Sequence, residues 1–396
     1  MFKPKPGARI ELHILKSHAA SRLNRDGTDR PKTMYMGGCR RLRISSQAEK
    51  YSIRTSEIFK QFLAEADSKY GAIRMVRTRH AVSAIKEKLT DKILSAGKEP
   101  RDYQEQMGKA LATFNRLFQK RKAAQEEDIE ATQLVAFSLA EIEHIADIVF
   151  SKDRNGKIQF NDVKEIVKEL HRERTSAGPM SVELQLFGRF TTAFNYLKNI
   201  DAPLSVSHGF TVHEARIEQD YWTAVDDLNQ LGGGHIDSRS FGAGIFYHYY
   251  CLDVPLLSRN VAQSFTDLDE AGTVSLIQDL ISAFLYAALC RNPVGGQSGH
   301  ANHDMPGYAY VTYGNAFPYN AQDAFENPVT SRGEGYYVEA KNAFASWMDQ
   351  RSKRYGIFCG YEQGMGFEDL NSDLQTMVES TVEEATSAIY GAMPGK

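Results

Sequence analysis

Residues 9–18 (RIELHILKSH) pack apolar and β-branched side chains into a strand-length window, and the pattern predicts a β-strand. A basic loop containing Gly and Pro follows over residues 19–43. Ser45-Ser46-Gln47-Ala48-Glu49 reads as a capping box, with Ser46 at the N-cap and Glu49 three residues on. The helix it opens puts Ala48, Tyr51, Thr55, Ile58 and Phe59 on one face, fit for a core. Gln47, Lys50 and Arg54 fall on another, fit for an anion. From about residue 60 to 200 the period is helical, at 56–69, 80–95, 101–122, 130–150 and 161–173. Strand signal is scarce there, which predicts a helical insertion whose mixed-charge runs at 120–122 and 126–130 are solvated faces. After Pro203 alternation returns, at 204–213 (LSVSHGFTVH) and 241–252 (FGAGIFYHYYCL). Between them Tyr221-Trp222-Thr223-Ala224-Val225 and Gly232-Gly233-Gly234 suggest a hairpin. Residues 273–290 form a buried apolar helix, 308–313 a strand, and 337–354 a helix with Phe344, Trp347 and Met348 inward.

With the insertions set aside, the order is strand, helix, strand, strand, helix, strand. That is the split βαβ, ferredoxin-like arrangement of an α+β fold. The same order builds the RNA-recognition motif, whose sheet meets RNA. The expected organisation is a first strand, basic loop and first helix in 1–60, a helical insertion in 61–200, a strand in 201–213, a hairpin in 214–240 and the remainder in 241–396.

Charge sharpens this picture. The chain of 396 residues has a net charge of −3. Residues 1–60 hold fourteen Lys and Arg against five Asp and Glu, a local +9 that leaves −12 for the rest. A basic block on an acidic body points to a localised polyanion site; a solvated charged face is the plainer alternative. No run of 18 apolar residues is present, which predicts no membrane span. The N-terminal Met1-Phe2-Lys3-Pro4-Lys5-Pro6 predicts no secretory leader. Cys39, Cys251, Cys290 and Cys359 lie far apart without a C-x-x-C, which favours reduced thiols in a cytoplasm over a zinc site.

The motifs of serine hydrolases, zinc proteases and P-loop enzymes are missing from the sequence. His300-Ala301-Asn302-His303-Asp304 contains metal-ligand types, but the flanking Gly and Pro favour a polar surface loop. Residues 151–162 mimic part of a calcium loop between two predicted helices. They lack its acidic first position and final Glu, so a connecting turn is expected. The stronger signal is basic: Arg25, Arg30, Lys32, Arg40, Arg41, Arg43, Lys50 and Arg54 crowd one loop and the following helix. Gly37-Gly38 lets backbone approach a ligand, and Ser45, Ser46 and Gln47 add neutral donors at a helix N-terminus. A capped helix after a solvated loop explains Ser46 and Glu49 but not the density of Arg. The adjacent Tyr221 and Trp222 suit a wedge against bases, with a core aromatic pair as the alternative.

Leu12-His13-Ile14-Leu15, Ser17-His18, Leu23-Asn24-Arg25-Asp26, and Gly37-Gly38-x-Arg40-Arg41-x-Arg43-Ile44-Ser45-Ser46-Gln47 with Lys50 closely resemble CasC-type subunits. These are the repeated backbone subunits of Cascade, the RNA-guided surveillance complex of type I-E CRISPR systems. Gly188-Arg189, the segment from Trp222 to Leu228, Phe241 to Tyr247, and Asn315-Ala316-Phe317 agree in order. The resemblance spreads over most of the chain and is weakest in the helical insertion and at the C-terminus.

The resemblance implies a right-hand shape with a ferredoxin-like palm, helical fingers and a hairpin thumb. It implies a non-catalytic scaffold in antiviral defence, with no cofactor or metal and no membrane partner. Copies would stack as a helical filament on the guide RNA beside other Cascade subunits, protect and segment the guide, and support its pairing with a target DNA strand. RNA-backbone contacts would map to Arg25, Lys32, Arg40, Arg41, Ser45, Ser46, Gln47, Lys50, Arg54 and Arg189. Phe190 would pack at the kink, and Tyr221, Trp222, Thr223, Val225 and Ile236 would displace a nucleotide. Cys39, Ala48, Tyr51 and Phe190 depart from the family's usual residues. Related type III backbone subunits resemble this fold and cut RNA with a loop aspartate, so a metal-dependent ribonuclease using Asp26 is the alternative. Because Asp26 follows Arg25 directly, a paired structural carboxylate is the preferred reading.

Overall fold

Strand β1 (Arg9–Ser21) is buried without a break from Ile10 to Lys16, so apolar residues run on where a half-exposed strand would alternate. The computed structural model describes residues 8–71, 74–118, 134–152, 157–161, 181–191, 197–225, 233–293, 295, 297–314, 317–333, 335–355, 361–366 and 373–390. The helix expected at 161–173, the hairpin tip at 226–232 and Asn315-Ala316 lie outside these described residues.

Along the chain β1 is followed by β2 (Thr33–Met36), β3 (Cys39–Ile44), α1 (Ser46–Thr55) and α2 (Glu57–Tyr70). Then come β4 (Met75–Thr78), α3 (Ala81–Ser95), α4 (Gln104–Phe118), β5 (Val135–Ser138) and α5 (Leu139–Val149). Short strands β6 (Phe150–Lys152) and β7 (Ile158–Phe160) precede α6 (Val182–Phe187). Next are β8 (Leu204–Val206), β9 (Gly209–Thr211), β10 (Ile217–Val225), β11 (Gly233–Asp253), α7 (Val254–Ser264) and α8 (Glu270–Cys290). The last elements are β12 (Pro306–Tyr313), α9 (Tyr337–Tyr355), β13 (Tyr361–Gly366) and α10 (Leu374–Tyr390).

The chain divides into two compact units. The first comprises Met1–Phe62, Leu204–Pro255 and Gln278–Lys396. It is built on one sheet in the order β13-β12-β1-β11-β9-β3-β2, with β8 and β10 also pairing with β11. The pairings are antiparallel, and Leu12 sits between Tyr250 and Val311. Odd positions of β1 meet the α9 side: His13 lies 5.3 Å from the Phe344 ring, and Leu15 joins a core with Phe210, Tyr247 and Phe325. Phe344 and Met348 are buried as the sequence predicts, and Trp347 is half-buried. Glu11 on that face is buried and accepts from the Tyr249 hydroxyl (2.6 Å) and the Tyr319 amide (2.7 Å). Even positions meet α8, where Lys16 Nζ donates to the Leu289 carbonyl at 2.9 Å.

The second unit comprises Leu63–Pro203 and Leu256–Ile277. Val82, Ile85, Leu89 and Ile93 form the inner stripe of α3 and pack with Phe137, Ile142, Ile145 and Val149. The expectation of little strand here needs correction, because β4 pairs with β5 and β6 with β7. The expected 130–150 helix begins only at Leu139. Ser138 and Glu141 form a capping box there, freeing Val135-Ala136-Phe137 to extend as a strand. The calcium-like segment follows α5 and contains the paired strands β6 and β7, where a connecting turn is expected; the second helix expected beside it lies outside the described residues.

Two further expectations change. The basic loop at 19–43 contains the β2–β3 hairpin, turned by Gly37-Gly38 at φ +59° and +76°. The strand expected over 204–213 is split into β8 and β9, each with different partners. Helix α8 has the length and mean apolarity of a membrane span, which a count of unbroken apolar runs does not register. It is a core helix, as expected for 273–290, with Leu276, Leu280, Ile281, Phe284 and Leu285 at 1% exposure or less.

Candidate nucleic-acid interface

Arg40 and Arg41 are successive strand residues, so their side chains leave opposite faces of β3. Arg40 is exposed, opposite the exposed Tyr35. Arg41 is fully buried. Its Nη1 donates to the Thr211 carbonyl and its Nη2 to the Phe325 carbonyl, each at 2.9 Å. Its expected RNA contact is therefore corrected to a clamp between β3, β9 and the segment before α9. Gly37 makes its close approach to protein, not ligand: a Cβ there would lie 1.6 Å from the Glu326 carbonyl oxygen.

The helix α1 is capped one residue earlier than its sequence suggests. Ser45 Oγ accepts from the Ala48 amide at 3.3 Å, and the Asn24 side chain accepts from the Ser45 amide at 2.9 Å. Glu49 is no partner in a capping box. It turns inward and accepts from His248 at 2.9 Å and from the Tyr250 hydroxyl at 3.0 Å. Burial opposes its charge, but His248, Tyr250 and Lys16 more than offset that and hold the carboxyl below the usual glutamate value. Burial in turn lowers Lys16 to about 8. Glu49, Ser52 and Ile53 form the inner face, and Tyr51, expected in the core, is exposed with Arg54 over its ring at 5.6 Å.

This pinning leaves Gln47 exposed and Ser46, Lys50 and Arg54 half-exposed on the outer face. Ser45 is buried, and the Ser46 amide is taken by His208 Nδ1 at 3.3 Å. Partial burial lowers the Lys50 pKa. The Ser46 and Ala48 amides are thus occupied, and what this face chiefly offers an anion is the long side chains of Gln47, Lys50 and Arg54.

The loop after β1 carries Arg25 and Lys32, exposed and half-exposed. Arg25 pairs with Asp29 at 2.6 Å, and Arg22 closes on the same carboxylate, so Asp29 and not Asp26 is the structural partner. Asp26 Oδ1 accepts from the Thr28 amide and hydroxyl, each at 2.8 Å, and from the Arg30 amide at 3.1 Å. The Thr28 hydroxyl bond, then the amide bonds, lower its pKa. A cleft of about 560 Å3 opens beside this turn, lined by Asp26, Arg30, Thr33, Arg40, Gln219 and Ser240.

Gln219 and Ser240 come from the foot of the β10–β11 hairpin, a long ribbon paired Gln219 to Ser240, Tyr221 to Ser238 and Thr223 to Ile236. These pairs share one face, so the face that lines the cleft continues up through Tyr221, Thr223 and Ile236. Tyr221 is 72% exposed and Ile236 70%. Trp222 lies on the opposite face, half-buried, with the Arg239 guanidinium 4.8 Å from its ring centroid. The expected Tyr221–Trp222 wedge is thus corrected to Tyr221 with Ile236, because strand neighbours diverge. The Val225 side chain lies outside the described residues.

In the second unit Arg189 is buried and bidentate with Glu141 at 2.7 and 2.9 Å, with further bonds to the Lys198 and Ala136 carbonyls. Its expected RNA contact is corrected to a structural tie. Phe190 beside it is 85% exposed. Asp304 of the His-rich segment pairs with buried His18 at 2.9 Å, and Asn302 is buried, so that loop is partly internal. Sequence reasoning missed Thr33, Gln219 and Ser240. Their only signal is register, which no single-sequence motif encodes.

The sequence model of the family described as CT1975-like protein matches residues 10–386. A chain of a solved structure titled "CRISPR RNA-guided surveillance complex, pre-nicking" superposes with a TM-score of 0.70 at 22% identity, covering 95% of this chain and 100% of that one. A chain of another, "CRISPR RNA-guided surveillance complex", gives 0.51 at 17% identity, covering 95% and 99%. At these identities the likeness is one of fold. No curated protein matches the chain.

Proposed function

The chain belongs to the CT1975-like protein family, and from that membership we propose that it is the repeated backbone subunit of a Cascade-type CRISPR complex. In this reading it binds guide RNA in the cytoplasm, stacks with further copies of itself beside other subunits, and supports pairing of the guide with target DNA. The observation that carries the proposal is the single hairpin face running from the Arg30–Arg40 cleft to exposed Tyr221 and Ile236. Cations grip a backbone at one end, and apolar side chains meet unstacked bases at the other.

The strand order β12-β1-β11-β9, all antiparallel, supports a ferredoxin-like palm. The second unit, with exposed Phe190, serves as fingers, and the β10–β11 hairpin as thumb. Sequence is read by base pairing, while the protein holds backbone and shape. We propose no catalytic step: Asp26 is engaged in its own turn and Asp29 in two ion pairs. Purified complex with Mg2+ or Mn2+ then leaves bound RNA intact, with or without Asp26→Ala.

The direct test is RNA affinity of the full chain across a salt series. Log affinity should fall linearly with log salt, and the Lys50→Ala/Arg54→Ala pair should reduce the slope by ~0.7 per lost phosphate contact. An unchanged slope in a folded double variant removes α1 from the interface. Salt-independent or undetectable RNA binding by the wild type refutes the proposal.

A further inference from the structure

We infer that the cleft at the foot of the β10–β11 hairpin reads ribose: Asp26 accepts the 2′-hydroxyl of one nucleotide while Arg30 and Arg40 hold its phosphate. The inference rests on the RNA-binding reading above and adds which sugar the site selects. The cleft's volume of about 560 Å3 suits one nucleotide and not a duplex.

Two guanidiniums in one cleft are an anion site, since their planar forks match phosphate oxygens. The Asp26 carboxylate lines the same cleft, and beyond the turn it closes it would repel a phosphate. An ionised carboxylate is acceptor-only, so it calls for a hydrogen-bond donor from the ligand. Asp26 Oδ1 is spent on Thr28 and Arg30, and Oδ2 has no partner among the described residues. The same three bonds keep the group ionised well into acid.

In single-stranded RNA the donor closest to a phosphate is the ribose 2′-hydroxyl, so a carboxylate sharing a cleft with two arginines suits it. Base amino groups lie farther from the phosphate than the 2′-hydroxyl does. Thr33, Gln219 and Ser240 add neutral donors and acceptors for the rest of the sugar. DNA offers no hydroxyl, which leaves Oδ2 facing phosphate alone and makes the cleft select RNA.

The experiment measures binding of the full chain to three short oligonucleotides of one sequence: RNA, 2′-fluoro RNA and DNA. The 2′-fluoro sugar keeps the ribo-type pucker but lacks the O–H donor. Wild type should bind RNA about tenfold more tightly than 2′-fluoro RNA. Asp26→Ser, whose hydroxyl still serves the turn, should bind the two alike, and Asp26→Ala should do the same. Arg30→Ala/Arg40→Ala should weaken RNA and 2′-fluoro RNA equally. Wild type that treats RNA and 2′-fluoro RNA alike overturns the inference while leaving RNA binding intact, as does full discrimination kept by both Asp26 variants. Failure of wild type to bind any RNA refutes the underlying reading and takes the inference with it.

Discussion

Arg40→Ala and Arg41→Ala should behave as opposites, although the residues are adjacent in a basic run. Arg41 bridges three elements from full burial, with two 2.9 Å bonds to the Thr211 and Phe325 carbonyls. A charged donor to a buried acceptor contributes ~1.5–3 kcal/mol, so losing both costs about 3–6 kcal/mol. That is a large part of the roughly 5–15 kcal/mol that stabilises a typical domain. At ~2–4 °C per kcal/mol for a unit the size of the first one, the melting temperature of that unit should fall by roughly 6–24 °C. Arg40 is exposed and lines the cleft. Its removal should leave melting within about 2 °C and lower the salt slope of RNA binding by ~0.7. Calorimetry and a salt series on the two variants decide the matter. Arg41→Ala that melts like wild type and loses salt slope would refute the assignment of that guanidinium to the core.

Arg189→Ala leaves Glu141 without its bidentate partner and should destabilise the protein by about 3 kcal/mol, read from urea unfolding; wild-type stability would show the tie to be dispensable. Gly37→Ala meets the Glu326 carbonyl at positive φ and should cost more than about 2 kcal/mol, whereas Gly38→Ala, with open space around it, should cost only ~1 kcal/mol; equal losses would contradict the packing. Burial lowers His18 to about 4 and His13 to about 3, while the unfolded chain protonates them near 6.5. The unfolded state then binds more protons as pH falls from 6.5 towards 4, so stability is full above that window and declines through it. The slope approaches ~1.4 kcal/mol per pH unit per histidine, and a melting temperature unchanged between pH 7 and 5 would contradict it.

Long apolar periodicity was legible because burial alone sets it. The windows predicted for β1, α2, α3, α8, β12 and α9 match closely, and each rests on a sustained core stripe or strand. β4 and β5 are four residues each, too short for alternation to stand out against helical surroundings. The basic block was visible as composition, but composition cannot sort Arg40 from Arg41. Burial divides them, and that depends on which face of β3 meets the Thr211 and Phe325 carbonyls. The capping serine shifted by one because Glu49 is drawn inward by His248 and Tyr250, residues some two hundred positions away. Tyr221 and Trp222 were separable in principle, since strand parity sends neighbours to opposite faces. Arg189 looked like a phosphate ligand because nothing local shows that Glu141 waits for it.

In the proposed function many copies of this chain line one guide RNA. The measurement that meets it most directly is co-expression of the full chain with partner subunits and a guide, followed by particle imaging. Several evenly spaced copies should lie along a single RNA, with the hairpin face bearing Tyr221 and Ile236 against the nucleic acid at each step. Particles holding one copy, or assembling without RNA, would contradict it.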